Sequence, residues 1–375
     1  AYIRSHRARV MAGVKRLANL LELSRRMGVD GVMILPGANM RYLLDFTIEV
    51  FERPAFLLAG FGLKPTLVVP RLDENRAVEA VGEFCEVVSY GDETGPWNLT
   101  EQLVSGLSGV LGIEGKTPYS FFKTVEGKAP SLQFTQIDSI LWMMRVCKDS
   151  EEIDRHREAS RILQEAMLRT LTELQPGMTE RQVMFSFYKN SYELGAETPY
   201  CLVQSGPNAA NPHLEPTLKT IHQNEAIVFD AALTHRGYYA DITRTIVLGQ
   251  PSETQQRLFN IVKQAQLDAI HTAGENVPAE ALDRAARRRI SEEGLGEYFI
   301  HRTGHGLGVE VHEEPYIREG NQTPLKPGMI FTVEPGIYLP GRLGIRLEDN
   351  IIVVESSVVN TTKLPKTLSL RETLV

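Results

Sequence analysis

The chain has 375 residues, enough for about two domains of ordinary size and a large buried core. Hydrophobic residues make up 42% and charged residues 23%, which excludes a disordered chain, a collagen or a coiled-coil rod. The net charge of −7 favours neither nucleic acid nor an anionic membrane as a partner, and no stretch approaches the roughly 18 uninterrupted apolar residues of a membrane span. The first 28 residues read as a basic amphipathic helix, without the apolar core and cleavage site of a secretory signal. Cys85, Cys147 and Cys201 are odd in number and far apart, so they suggest neither a disulfide framework nor a zinc knuckle. The expected compartment is a reducing cytoplasm.

Residues 1–146 read as a mixed α/β domain. A helix to Met27 leads into a strand at Gly31–Leu35, and Phe56–Val69 holds at least two strands broken by Gly60, Gly62 and Pro65. A further helix is expected from about Asn98 to Leu111. Gly115-Lys116-Thr117 ends like a phosphate loop, but Val110 stands where the required earlier glycine would be. A second domain, 147–375, begins near Cys147. Asp149 with Glu152, Thr179 with Gln182, and Ser252 with Gln255 each have the spacing of a reciprocal helix cap. The order helix, helix, two strands appears twice. The first copy ends in strands at Ala226–Leu233 and Tyr238–Leu248, the second in strands at Met329–Leu339 and Leu343–Glu355. That repetition hints at a duplicated half-domain.

Each strand pair carries two carboxylates. A hairpin closed over Thr234-His235-Arg236-Gly237 sets Asp230 directly opposite Asp241. One closed over Pro340-Gly341-Arg342 sets Glu334 opposite Glu348, with Asp349 on the other face. Such pairs repel unless a cation lies between them or one member stays protonated. Four carboxylates call for about two divalent cations. His305, between Gly304 and Gly306, adds one imidazole, and an oxygen-rich set with one nitrogen suits Mn²⁺, Co²⁺ or Fe²⁺ better than zinc. Two such metals activate water and polarise a carbonyl, which is hydrolase chemistry. Glu313-Glu314 reads as a solvated charge pair.

The run from His301 to Glu313, HRTGHGLGVEVHE, resembles the signature of the prolidase/aminopeptidase P family, the pita-bread metallopeptidases. Asp241-Ile242-Thr243-Arg244-Thr245, Glu334-Pro335-Gly336-Ile337-Tyr338 and Gly344-Ile345-Arg346-Leu347-Glu348-Asp349 resemble its ligand motifs, in the same order. Ser205–Ala210 with Pro212-His213 resembles its substrate-side loop, and residues 28–46 its non-catalytic N-terminal domain. The resemblance implies an α+β pita-bread catalytic domain behind a smaller α/β domain. It implies Asp230, Asp241, His305, Glu334 and Glu348 as ligands of a dinuclear site, with Glu334 also passing protons. His312 and His213 would stabilise the tetrahedral intermediate and contact substrate, and His301 and Arg346 would support the site. The implied activity is hydrolysis between a first residue and proline, with dipeptides favoured and longer peptides as the alternative; a homodimer is also implied. A pita-bread enzyme acting on a non-peptide substrate is a further alternative: the five ligands disfavour a non-metal hydrolase or a binding protein of this fold, and Ala232 stands where a metal-dependent lyase tends to carry an extra Asp. Two positions depart from the family: Ala232 stands where glycine is usual, and Tyr316 where many prolidases carry an arginine. A dipeptide carboxylate would then fall to Arg346, Arg318 or His213.

Overall fold

The computed structural model describes residues 2–49 and 52–374, with the backbone alone for residues 2–9. It divides into two compact units, Ala1–Arg145 and Val146–Val375. No helix among the described residues is long and apolar enough to cross a membrane.

The first unit holds helices α1 (Tyr2–Arg26), α2 (Ala38–Leu44), α3 (Glu74–Val81), α4 (Trp97–Val104), α5 (Tyr119–Lys128) and α6 (Asp138–Arg145). Its strands are β1 (Gly31–Ile34), β2 (Phe56–Gly60), β3 (Leu63–Pro70), β4 (Glu86–Tyr90), β5 (Gly109–Ile113) and β6 (Leu132–Gln136), in the sheet order β4-β3-β2-β1-β5-β6. Parallel pairs flank the antiparallel β2. Met33, Phe56, Leu58, Val68, Leu111 and Phe121 form its core. The helix expected to reach Leu111 stops at Val104 instead. Gly106 and Gly109 interrupt it, Gly109 at φ 112°, and the apolar residues beyond are strand β5, buried by pairing with β1 and β6.

The second unit begins with α7 (Ser150–Glu173) and α8 (Glu180–Glu193), followed by β7 (Tyr200–Ser205), β8 (Ala226–His235) and β9 (Tyr238–Val247) in one antiparallel sheet. Next come α9 (Glu253–Thr272) and α10 (Ala279–Glu292). Seven strands follow: β10 (Gly304–Gly306), β11 (Glu313–Ile317), β12 (Ile330–Val333), β13 (Gly336–Leu339), β14 (Leu343–Arg346), β15 (Asp349–Val354) and β16 (Ser357–Asn360); a short α11 (Leu370–Thr373) ends the chain. Asp149, Thr179 and Ser252 each accept from the backbone N–H three residues on, and Glu152, Gln182 and Gln255 return the bond. Each such cap is worth about 1 kcal/mol. Alternation along β8 and β9 sends Phe229, Ala231, Leu233, Ala240, Ile242 and Ile246 into the core under α7 and α8. The opposite faces of these strands are left for polar residues.

Candidate metal centre

The first hairpin differs from its expected register. His235 pairs with Tyr238, so the turn is only Arg236-Gly237, with φ 49° and 77°. Positive φ at both positions is the primed two-residue turn that matches strand twist. Asp230 therefore faces Thr243, and Asp241 faces Ala232. The slip is two residues rather than one, so the side-chain face is preserved and the two aspartates stand as diagonal neighbours on it.

The second hairpin keeps its expected register but not its continuity. Gly336 pairs with Arg346 and Val333 with Asp349, which puts Glu334 level with Glu348. Each expected strand is split there, into β12 and β13 and into β14 and β15. Pro335 has no N–H to give the ladder. The two glutamate amides turn elsewhere: Glu334 N donates to Thr303 O at 2.7 Å and Glu348 N to Thr243 O at 3.1 Å.

These breaks bring the carboxylates of both hairpins together around His305. Ligand atoms of Asp241, His305 and Glu348 lie within 4.8 Å of one another, and all three residues are buried. His305 Nε2 is 3.3 Å from Glu334 Oε1 and 3.9 Å from Asp241 Oδ2. Its Nδ1 lies 3.1 Å from the carbonyl of Gly306, so a proton on Nδ1 satisfies that oxygen and leaves an Nε2 lone pair facing the carboxylates. Asp230 pairs with Arg346 at 2.6 Å. Among the described residues, buried Asp241 Oδ1 and Glu348 Oε1 find no hydrogen-bond partner. Burial, together with Asp230 and Glu334, pushes the Asp241 carboxyl well up; burial together with Asp241 does the same to Glu348. At Glu334 burial raises the carboxyl, but His305, His301 and Arg346 together outweigh it and bring it down to about 2. Orphaned buried oxygens in an acidic cluster are what a divalent cation satisfies, so this donor set fits one.

All nine expected site residues line one cavity of about 790 Å³: Asp230, Asp241, His305, Glu334 and Glu348, with His213, His301, His312 and Arg346. His312 stacks edge-on to His305, ring centroids 4.2 Å apart, and burial and that neighbour lower it to about 4. His301 Nε2 meets the Tyr338 hydroxyl at 2.8 Å, and Arg346 donates to the same oxygen at 2.9 Å. His213 belongs to a loop tied down by buried Glu180, which accepts from Ser205 N, Asn208 Nδ2 and Thr217 N. That loop crosses β14 closely enough that a Cβ on Gly344 would meet Ala209 O at 1.8 Å.

Sequence reasoning missed several supporting residues. Thr243 donates to Glu348 Oε2 at 2.7 Å. Fully buried Arg244 donates to Glu348 O at 2.7 Å and to Leu364 O at 2.7 Å, and pairs with Asp349 at 2.9 Å. Thr243, Arg244 and Tyr338 sit inside the motifs already noted, so a polar residue alternating with a buried apolar run was the available signal. Glu313 is no solvated charge: it is buried and pairs with Lys148 at 3.0 Å. Arg318 is exposed, donates to Glu319 O, and does not line the cavity.

Residues 154–355 match the model of metallopeptidase family M24, and residues 16–147 that of the Creatinase/Prolidase N-terminal domain. The Xaa-Pro dipeptidase of Pyrococcus horikoshii is 32% identical over 94% of this chain and 98% of its own length. The crystal structure of recombinant prolidase from Thermococcus sibiricus superposes with a TM-score of 0.90 at 35% identity, covering 95% of this chain and 98% of that one. An X-Pro aminopeptidase structure from Thermotoga maritima follows with a TM-score of 0.85 at 30% identity, over 93% and 98% of the two chains. A six-stranded α/β unit, a second unit in which a helix pair followed by a strand pair recurs and a buried carboxylate–histidine cluster thus accompany a match along nearly the whole chain, which belongs to the prolidase/aminopeptidase P group of the M24 metallopeptidases.

Proposed function

We propose that this metallopeptidase is an Xaa-Pro dipeptidase. The observation that carries the reading is the single cavity in which carboxylates from both hairpins surround His305 and face His213, His301 and His312. Asp230, Asp241, His305, Glu334 and Glu348 would hold two divalent cations, with Mn²⁺ or Co²⁺ the best match to an oxygen-rich set with one imidazole. The cations supply Lewis acidity and an activated water. Glu334 holds and passes the proton between the attacking water and the leaving proline nitrogen. A neutral His312, lowered to about 4, donates a hydrogen bond to the oxygen on which charge develops, and His213 faces the same oxygen from its loop. Arg346 and Tyr338 keep Asp230 and His301 in place. Proline needs a dedicated site because its nitrogen offers no N–H and its ring fixes φ.

The likeness to an X-Pro aminopeptidase supports a second reading, in which the same bond is cut at the start of longer peptides. The experiment is a panel assay on protein loaded with Mn²⁺ or Co²⁺: Xaa-Pro, Xaa-Pro-Xaa and Xaa-Ala. The dipeptidase reading expects the first to be cleaved best. Equal cleavage of Xaa-Pro-Xaa transfers the assignment to an aminopeptidase, and cleavage of Xaa-Ala alone overturns both.

A further inference from the structure

The cavity carries four carboxylates and one guanidinium that none of them engages. Arg302 lines it beside His213 and His312. Among the described residues its side chain makes no ion pair and no hydrogen bond; its contact is with the face of the Tyr316 ring, 4.3 Å from guanidinium carbon to centroid. The backbone that presents it is fixed. Arg287 donates to Phe299 O and His301 O at 2.9 Å, Asp283 accepts from Thr303 N at 3.1 Å, and His301 Nδ1 meets Arg302 O at 2.7 Å. Tyr316 is fixed as well, its carbonyl accepting from Asn321 at 2.7 Å. So a cation is held on an aromatic platform, aimed into the substrate cavity, with its donors unspent.

We propose that Arg302 anchors the free α-carboxylate of a dipeptide, and so restricts the preferred substrates to those that end one residue beyond the cut bond. This rests on the Xaa-Pro reading above and names what sets substrate length within it. The other cations do not serve. Arg346 is buried and committed to Asp230, Tyr338 and Thr243. Arg318 lies outside the cavity lining. A guanidinium suits the task because it is planar, weakly hydrated and matched to a carboxylate by two parallel donors, and stacking on a ring leaves those donors free. An anionic substrate end entering an acidic cavity needs such a partner. The apolar Pro212, Leu214 and Ile300 line the same space, and Ile300 is 64% exposed, so the rim offers a surface for a proline ring rather than a second charge.

The test compares kcat/KM for Xaa-Pro and its C-terminal amide on the metal-loaded enzyme. A charge-assisted anchor predicts that wild type favours the acid by roughly tenfold to a hundredfold. In Arg302→Met the acid-to-amide ratio falls to near one; in Arg302→Lys it falls part-way. Tyr316→Phe keeps the ratio, because the ring face remains, whereas Tyr316→Ala lowers it. A wild-type ratio near one overturns the proposal without any variant. A ratio that survives in Arg302→Met but vanishes in His213→Asn also overturns it, moving the anchor to His213. Cleavage of neither acid nor amide by the wild type would sink the Xaa-Pro reading itself, and the anchor with it.

Discussion

The two carboxylate hairpins do the same work by different construction. In β8–β9 an unbroken ladder runs from the Ala226–Val247 pair to a two-residue turn, and Asp230 and Asp241 project from it as ordinary alternating side chains. In β12–β15 the ladder is interrupted on both strands at Glu334 and Glu348. What the second loses in strand hydrogen bonds it recovers from other elements: Thr303 and Thr243 take the two glutamate amides, and Arg244 grips the Glu348 carbonyl. One hairpin's ladder is continuous in its own backbone, whereas the gap in the other's is closed by its neighbours. A short Asp reaches the centre from a regular strand, whereas the Glu positions depend on residues far away in the chain.

That difference can be broken at Arg244. Replacing it with Met leaves the buried Asp349 with Lys366 as its remaining cation and frees the Glu348 carbonyl. Removing one partner of a buried ion pair costs about 3–5 kcal/mol, which urea unfolding should register, with weakened metal binding alongside. A loss below about 1 kcal/mol would mean the second hairpin does not lean on its neighbours.

The first hairpin also meets His156 of α7, whose Nδ1 lies 2.9 Å from Tyr239 O. Burial lowers this imidazole to about 4. The unfolded chain binds the proton near 6.5, so stability is intact above that pH and declines as pH falls toward 4. The full effect is of order 3 kcal/mol. His156→Gln should flatten this slope relative to wild type over pH 4–6.5, as followed by thermal or urea unfolding. An unchanged slope would place the acid sensitivity elsewhere.

The subtlest contrast is in the metal-free protein. Asp241 and Glu348 are raised by burial and by carboxylate neighbours, so their ionisation removes stability as pH climbs through their folded values. Asp241→Asn should therefore stabilise metal-free protein at pH 7 by about 1 kcal/mol, the scale of a like-charge cross-strand contact. Glu334 is lowered through His305, His301 and Arg346, and its contribution is present above the unfolded carboxyl value and lost only as pH falls toward 2. Glu334→Gln should destabilise metal-free protein at pH 7. Shifts of the same sign in both variants would erase this distinction between the carboxylates.

Much of this was legible in the sequence, for physical reasons that can be named. The three helix caps were readable because both partners lie three residues apart. The cavity residues were readable because they sit in short runs whose order along the chain is distinctive. The register of β8–β9 was not, since an interval of 11 residues fits a four-residue turn or, with the aspartates diagonal, a two-residue one; only the left-handed backbone at Arg236-Gly237 decides. Nor was the break at Glu334: Pro335 hinted at it, but the acceptors that make it tolerable come from Thr303 and Thr243. Glu180 and Glu313 were invisible for a related reason. Each is buried because of partners distant in sequence, Thr217 for one and Lys148 for the other.

The central claim is that carboxylates from both hairpins hold two divalent cations. Its most direct test is calorimetric titration of exhaustively chelated wild-type protein with Mn²⁺, read together with recovery of Xaa-Pro hydrolysis. About two ions per chain should bind, with no hydrolysis before they do. Full hydrolysis by the chelated protein, or saturation at a single ion with full activity, would contradict it.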